Sequence, residues 1–203
     1  MSEAITLDDL DRHYAEPTPL SKLKVLPRLD HHCRAFIALS PFCVISSADA
    51  EGRADVSPRG DAPGFVAILD DATLLIPDRL GNNRVDTMRN IAANPEVGLL
   101  FLVPGVNESL RVNGRAEVTM DAGLLAPLAA QGKAPKAGIV VAIREAFLHC
   151  GKALIRSKLW DPAARIDRAR LPSLGKMLAD QIGGVSAEDA DEKVENAYRT
   201  RLY

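Results

Sequence analysis

The sequence predicts a mainly β domain with flanking helices, its strands forming an antiparallel meander that closes into a barrel or sandwich. From Phe42 onward the apolar runs are short, and several are rich in β-branched residues: FCVISS, ADVS, FVAIL, TLLIP, VGLLFLV, SLRVNGRAEV and GIVVAIREAF. Their links are brief turn sequences, Asp49 to Gly52, Asp70-Asp71 and Pro104-Gly105. Such links suit antiparallel neighbours, since parallel strands need long crossovers. Helical periodicity is concentrated at the two ends and in one or two stretches between strands.

The elements follow in order. Thr6 is placed to cap LDDLDRHY, with Asp9 three residues on for the return contact of a capping box. Thr18-Pro19 puts proline at a first helical position, and Asp30 can cap HHCRAFIAL. Among the strands, NNRVDTMRNIAANP reads as a helix because Val85, Met88, Ile91 and Ala92 share a face, and Asn94-Pro95 stops it. A short helix is expected over DAGLLAPLAA, and helices return after Cys150. There LPSLGKMLAD starts one, and Ser186 with Asp189 opens a charged last one. The expected organisation is an N-terminal helical segment over 1–40, a barrel domain over 41–160 and a C-terminal helical segment over 161–203.

The chain has 203 residues, 47% apolar and 26% charged, enough to bury a core in one domain. Its net charge of −2 gives no basic bulk that would call for nucleic acid. No apolar run approaches the length needed to cross a bilayer. Three cysteines without framework spacing point to a reduced, cytoplasmic protein.

Two segments bring donors to strand ends. Ser57-Pro58-Arg59-Gly60-Asp61 ends one strand, and PDRLGNNR carries Asp78, Arg79, Gly81, Asn82, Asn83 and Arg84 into the central helix. A helix N-terminus presents unpaired N–H groups that suit a phosphate. Gly81 would let backbone come close, and Arg79 and Arg84 could fork onto phosphate oxygens. The plainer reading is a turn with a solvated arginine, and an asparagine cap on the helix. In HCGKALIRSKLW, Lys152, Arg156 and Trp160 recur every four residues, either as a binding face or as an amphipathic helix with Trp160 in the core. Arg111 falls mid-strand, where it needs an acid such as Glu108 or Glu117, or a ligand. His31-His32-Cys33 and His149-Cys150 are adjacent residues that point to different faces, so no metal site is expected.

The segment DVSPRGDAPGFVAILDDATLLIPDRLGNNRVDTMRNIAANPEVGLLFLVPGVNESLRVNGRAEV, followed by HCGKALIRSKLW, resembles the pyridoxamine 5′-phosphate oxidase-like family of FMN-binding split-barrel proteins. The resemblance covers residues 40–160. It implies a six-stranded antiparallel split barrel and a homodimer with FMN in clefts at the subunit interface. It further implies that Ser57, Arg59, Gly60 and the loop from Asp78 to Arg84 grip the phosphate and ribityl chain. Ile76 and Pro77 would lie along the flavin edge, Arg111 would face the cofactor or the interface, and Lys152, Arg156 and Ser157 would reach cofactor or substrate across the dimer. The R-L-H-D-R pattern by which the family's name-giving oxidase recognises its substrate does not occur here. The expectation is therefore an oxidoreductase on another small-molecule substrate. The alternatives are a non-catalytic flavin-binding or flavin-reductase-like module, or a relative holding haem or a deazaflavin. No histidine, cysteine or acid stands out as a general base.

Overall fold

The computed structural model describes residues 5–203, so the first four residues of the N-terminal helical segment lie outside the described residues. Helices α1 (Leu7–His13), α2 (Pro19–Leu23) and α3 (His31–Leu39) precede strands β1 (Phe42–Ala48), β2 (Ala54–Gly60), β3 (Ala67–Asp70) and β4 (Thr73–Pro77). Helix α4 (Asp86–Ala93) leads to β5 (Glu96–Leu102) and β6 (Ser109–Thr119). Then come α5 (Ala122–Leu125), β7 (Gly138–His149), α6 (Lys152–Ser157), α7 (Leu174–Ile182) and α8 (Ala187–Thr200). The caps read from sequence are present. Thr6 and Asp9 form a full capping box, and Thr18, Asp30 and Ser186 each accept a backbone N–H.

All strand pairings are antiparallel, in the order β2-β1-β5-β6-β7-β4-β3. The sheet has seven strands rather than the six implied by the resemblance. At one edge β3 hairpins back through the Asp70-Asp71 turn and pairs with β4.

Period-two alternation assigns the faces. Cys43 and Ile45 of β1, Leu99 and Phe101 of β5, Leu110 and Val112 of β6, and Ile139 and Val141 of β7 turn inward and are buried. Leu29, together with Cys33 and Ile37 of α3, joins the same core. A bulge between β6 and β7 at Asn113/Gly114 leaves Arg144 out of register. A Cβ at Gly114 would lie 2.1 Å from the Ala142 carbonyl oxygen, so the bulge requires glycine there. Past the bulge the inward positions of β7 change parity, from Ile143 to Ala146, and Phe147 comes to face outward opposite Arg111.

The two edges of the sheet, β2 and β3, are not joined by a ladder, so the sheet is open. Its β2 end is instead drawn by side chains to the end of β4, where Arg59 and Asp61 approach Asp78 and Arg79 across a seam. Helices α7 and α8 pack mainly on one another, and Asp191 of α8 accepts the Gly175 N–H at 2.8 Å. Among the described residues, no helix is long and apolar enough to cross a membrane.

Candidate functional site

The inner face of β2 explains the SPRGD sequence. Arg59 pairs with Cys43 and Ser57 with Ile45, so both polar residues point to the side on which β1 is fully buried. An edge strand that turns a hydroxyl and a guanidinium inward cannot seal an apolar core. It borders instead a cavity of about 520 Å³, formed by Asp55 to Gly60, Phe65 and the segment from Pro77 to Met88. The size is that of a small-molecule site.

Arg59 Nη1 lies 3.6 Å from Asp78 Oδ1, an ion pair too long for a hydrogen bond. Among buried side-chain polar atoms of the described residues, Arg59 Nε alone has no hydrogen-bond partner. Such an orphan is costly unless something fills the space before it. Burial pushes the Asp78 carboxyl above its ordinary range, with the Arg59 charge pulling the other way.

The loop from Asp78 to Val85 forms the opposite wall. Asn82 Oδ1 accepts the Arg84 N–H at 3.1 Å, which makes a local turn and not a helix cap. Asn83 and Val85 both have positive φ, at 61° and 52°. Asparagine tolerates that region, whereas a β-branched residue there is strained. Val85 sits at the N-cap of α4 and no side chain caps the helix, so its first N–H groups open towards the cavity. The Val85 residue is 43% exposed, so little burial offsets the strain. Val85→Gly is therefore expected to raise ligand-free stability by about 1 kcal/mol, read from the urea midpoint. A loss of stability would show that the valine contacts outweigh the strain.

Not every residue expected at the site arrives there. Ser57, Arg59, Gly60, Pro77, Asp78, Arg79, Gly81, Asn82, Asn83 and Arg84 all line the cavity. Ile76 does not; it is 1% exposed and packs in the core, because alternation along β4 turns it inward. Arg111 lies on the outer face with its guanidinium 5.0 Å from the Phe147 ring centroid, since Leu110 and Val112 on either side take the inner face. Neither Glu108 nor Glu117 pairs with it. Lys152, Arg156 and Ser157 belong to α6, which lies outside this cavity, and Ser157 Oγ donates to the Leu154 carbonyl. Lys158 adopts a left-handed conformation and ends α6, so Trp160 lies beyond the helix and off any shared face. Its indole N–H donates to Val106 O at 2.8 Å.

Arg79 lines the cavity, but two of its nitrogens are engaged elsewhere. Its Nε donates to Asp61 Oδ2 at 2.6 Å and its Nη1 to Leu128 O at 2.9 Å. Arg84 is exposed and paired with Asp86 at 2.6 Å. The role of Asp61 escaped the sequence reading. Burial raises its carboxyl, but donors from Tyr203, the Ala62 N–H and Arg79 outweigh burial and hold it below the ordinary carboxylate range. The only signal in the sequence was its position directly after Gly60.

No curated protein matches the chain. Among solved structures, HupZ of Group A Streptococcus is similar at 17% identity, over 59% of this chain and 93% of that one, with a TM-score of 0.50. An FMN-binding protein from Syntrophomonas wolfei is 15% identical over 57% of this chain and 82% of that one, at TM-score 0.45. An F420 reductase is 17% identical over 60% and 98%, at 0.43. At these identities the HupZ likeness speaks to the fold alone, and the other two carry no weight. A family model described as pyridoxamine 5′-phosphate oxidase matches residues 29–150, which span α3, the whole seven-stranded sheet and the seam cavity. With more than half of its length matched, the chain belongs to the pyridoxamine 5′-phosphate oxidase family.

Proposed function

We propose that the seam cavity binds FMN and that the protein is an oxidoreductase acting on a small-molecule substrate. The observation that carries this reading is the buried, unpartnered Nε of Arg59. A phosphate dianion needs several charge-assisted donors. Arg59, the Ser57 hydroxyl, the uncapped start of α4 and Arg84 border one volume. A Cβ at Gly81 would meet no protein atom within 4 Å, so its neighbours in the fold do not demand glycine there. Family membership points the same way.

When bound, the flavin supplies the electron-accepting ring, which the side chains of this fold cannot provide. The chain's residues bind and orient it. Arg59 and the α4 amides hold the anion, while Pro77 and Phe65 offer apolar wall. Asp78 lines the cavity beside Arg59, where burial pushes its carboxyl above the ordinary range.

The working unit in this proposal is a homodimer with the cofactor at the subunit interface. Pro58, Val44, Leu100, Arg111 and Phe147 form one cross-strand row on the outer face of the sheet. The core takes the other face, so this largely apolar row is left for a second copy to cover. Lys152 and Arg156 of α6 would then reach the neighbouring copy's cavity. The free cysteines fit a reduced, cytoplasmic setting.

The test is mass spectrometry of the small molecule released when natively purified protein is denatured, followed by titration with FMN. Release of FMN and saturable quenching of its fluorescence are expected. A deazaflavin or haem in the released fraction, or colourless protein that ignores added flavin, would overturn the reading.

A further inference from the structure

The segment after α8 returns to the seam. The Tyr203 hydroxyl donates to Asp61 Oδ1 at 2.7 Å, its carbonyl accepts from Lys133 Nζ at 3.1 Å, and its ring lies 5.9 Å from the Arg79 guanidinium carbon. Asp61 is the hub. Its side chain is only 6% exposed, and it binds the phenol and the Ala62 N–H through Oδ1 and Arg79 through Oδ2. Arg79 extends the chain of contacts to Leu128 O. Two stretches far apart in sequence, at Arg79 and Tyr203, therefore converge on one buried carboxylate, and Leu128 joins through Arg79, next to the residues that line the cavity.

We infer that Tyr203 is a positioning residue: acting through Asp61 and Arg79, it holds the loop of residues 78–84 against the end of β2 and so sets the width of the seam cavity. The physical ground is satisfaction of a buried charge. Asp61 must collect donors for both oxygens, and the two it collects from afar, Arg79 and Tyr203, each fix a different segment. Without the phenol, Oδ1 keeps one backbone donor, the hold on Arg79 loosens and the loop swings away. A second cavity, of about 350 Å³, lies on the other side of the same loop between Tyr203, Lys133 and Lys136, so there is room for that movement. The hydrogen bond to Asp61 also pushes the phenol's pKa above its ordinary value, as expected of a donor to a carboxylate. The consequence for cofactor retention rests on the flavin-binding proposal; the effect on the loop does not.

The test uses the full chain with Tyr203→Phe, which keeps the ring over Arg79 and deletes the donor, and Tyr203→Ala. Trypsin cleavage after Arg79 requires its guanidinium to leave Asp61, whereas Arg165, exposed between α6 and α7 and outside the loop, serves as an internal reference. Cleavage after Arg79 in ligand-free protein is expected to speed about tenfold in Tyr203→Phe, and further in Tyr203→Ala, with Arg165 unchanged. General destabilisation would accelerate both sites together. Equal acceleration, or none, overturns the inference. FMN release should quicken about tenfold in the same variants. Unchanged release from a wild type that does bind FMN overturns it as well. Faster cleavage at Arg79 in a protein that never binds flavin supports the positioning role and rejects the flavin proposal instead.

Discussion

Replacing Arg59 with methionine is expected to weaken FMN binding by roughly 10- to 100-fold while leaving riboflavin binding almost unchanged. Charge-assisted hydrogen bonds contribute about 1.5–3 kcal/mol each, and every 1.4 kcal/mol is a factor of ten. The unpartnered Nε lies on the inner face of β2, where the other polar residues available to an anion are Ser57 and the start of α4. Methionine keeps comparable bulk and removes every donor. Riboflavin lacks the phosphate, so the ratio of the two affinities isolates the anion contact from any distortion of the cavity. An equal loss for both ligands would place Arg59 away from the phosphate, and no loss would remove it from the site.

The same substitution has a signed pH consequence in the ligand-free protein. Burial raises Asp78 and Arg59 lowers it, with burial the larger cause. A carboxyl whose folded value is raised favours folding while protonated. That contribution is fully present below the ordinary aspartate value and is lost as pH rises through the raised one. Removing Arg59 lifts the folded value further. Arg59→Met should therefore lose stability over a window that extends to higher pH than in wild type. Urea midpoints across the acidic range check this, and a window that moves downward contradicts it.

Phe101→Ala is expected to destabilise the domain by about 3–5 kcal/mol, the range for emptying a buried phenylalanine site. Phe101 is 0% exposed, opposite Cys43 on one side and Leu110 on the other, so the surrounding ladders limit how far the site can collapse. Against a total near 5–15 kcal/mol for a typical domain, this shifts the thermal midpoint by roughly 10 °C or more. Val56→Ala on the exposed face of β2, where the side chain is 65% exposed, should stay within about 0.5 kcal/mol of wild type. Similar losses at the two positions would mean that the inward and outward faces have been exchanged.

Local signals in the sequence determined the elements. Thr6, Asp30 and Ser186 announce their helices because a cap is satisfied within three residues. The seven apolar runs became seven strands because period-two alternation is a property of adjacent residues. Most of the cavity wall was legible for the same reason, since β2 and the loop into α4 are continuous segments with recognisable motifs.

Only the tertiary structure decided which donors are free. Arg59 and Arg79 look alike in the chain, yet Arg79 is tied to Asp61 and Leu128, while Arg59 keeps a buried N–H without a partner. Arg111 was sent to the outer face by its strand's register with the core, and Tyr203 meets Asp61 from the opposite end of the sequence. A side chain's propensities are set by its neighbours in sequence, but its hydrogen-bond partners are set by whichever segments the folded sheet brings to the seam. That long-range meeting is the part no short window of residues contains.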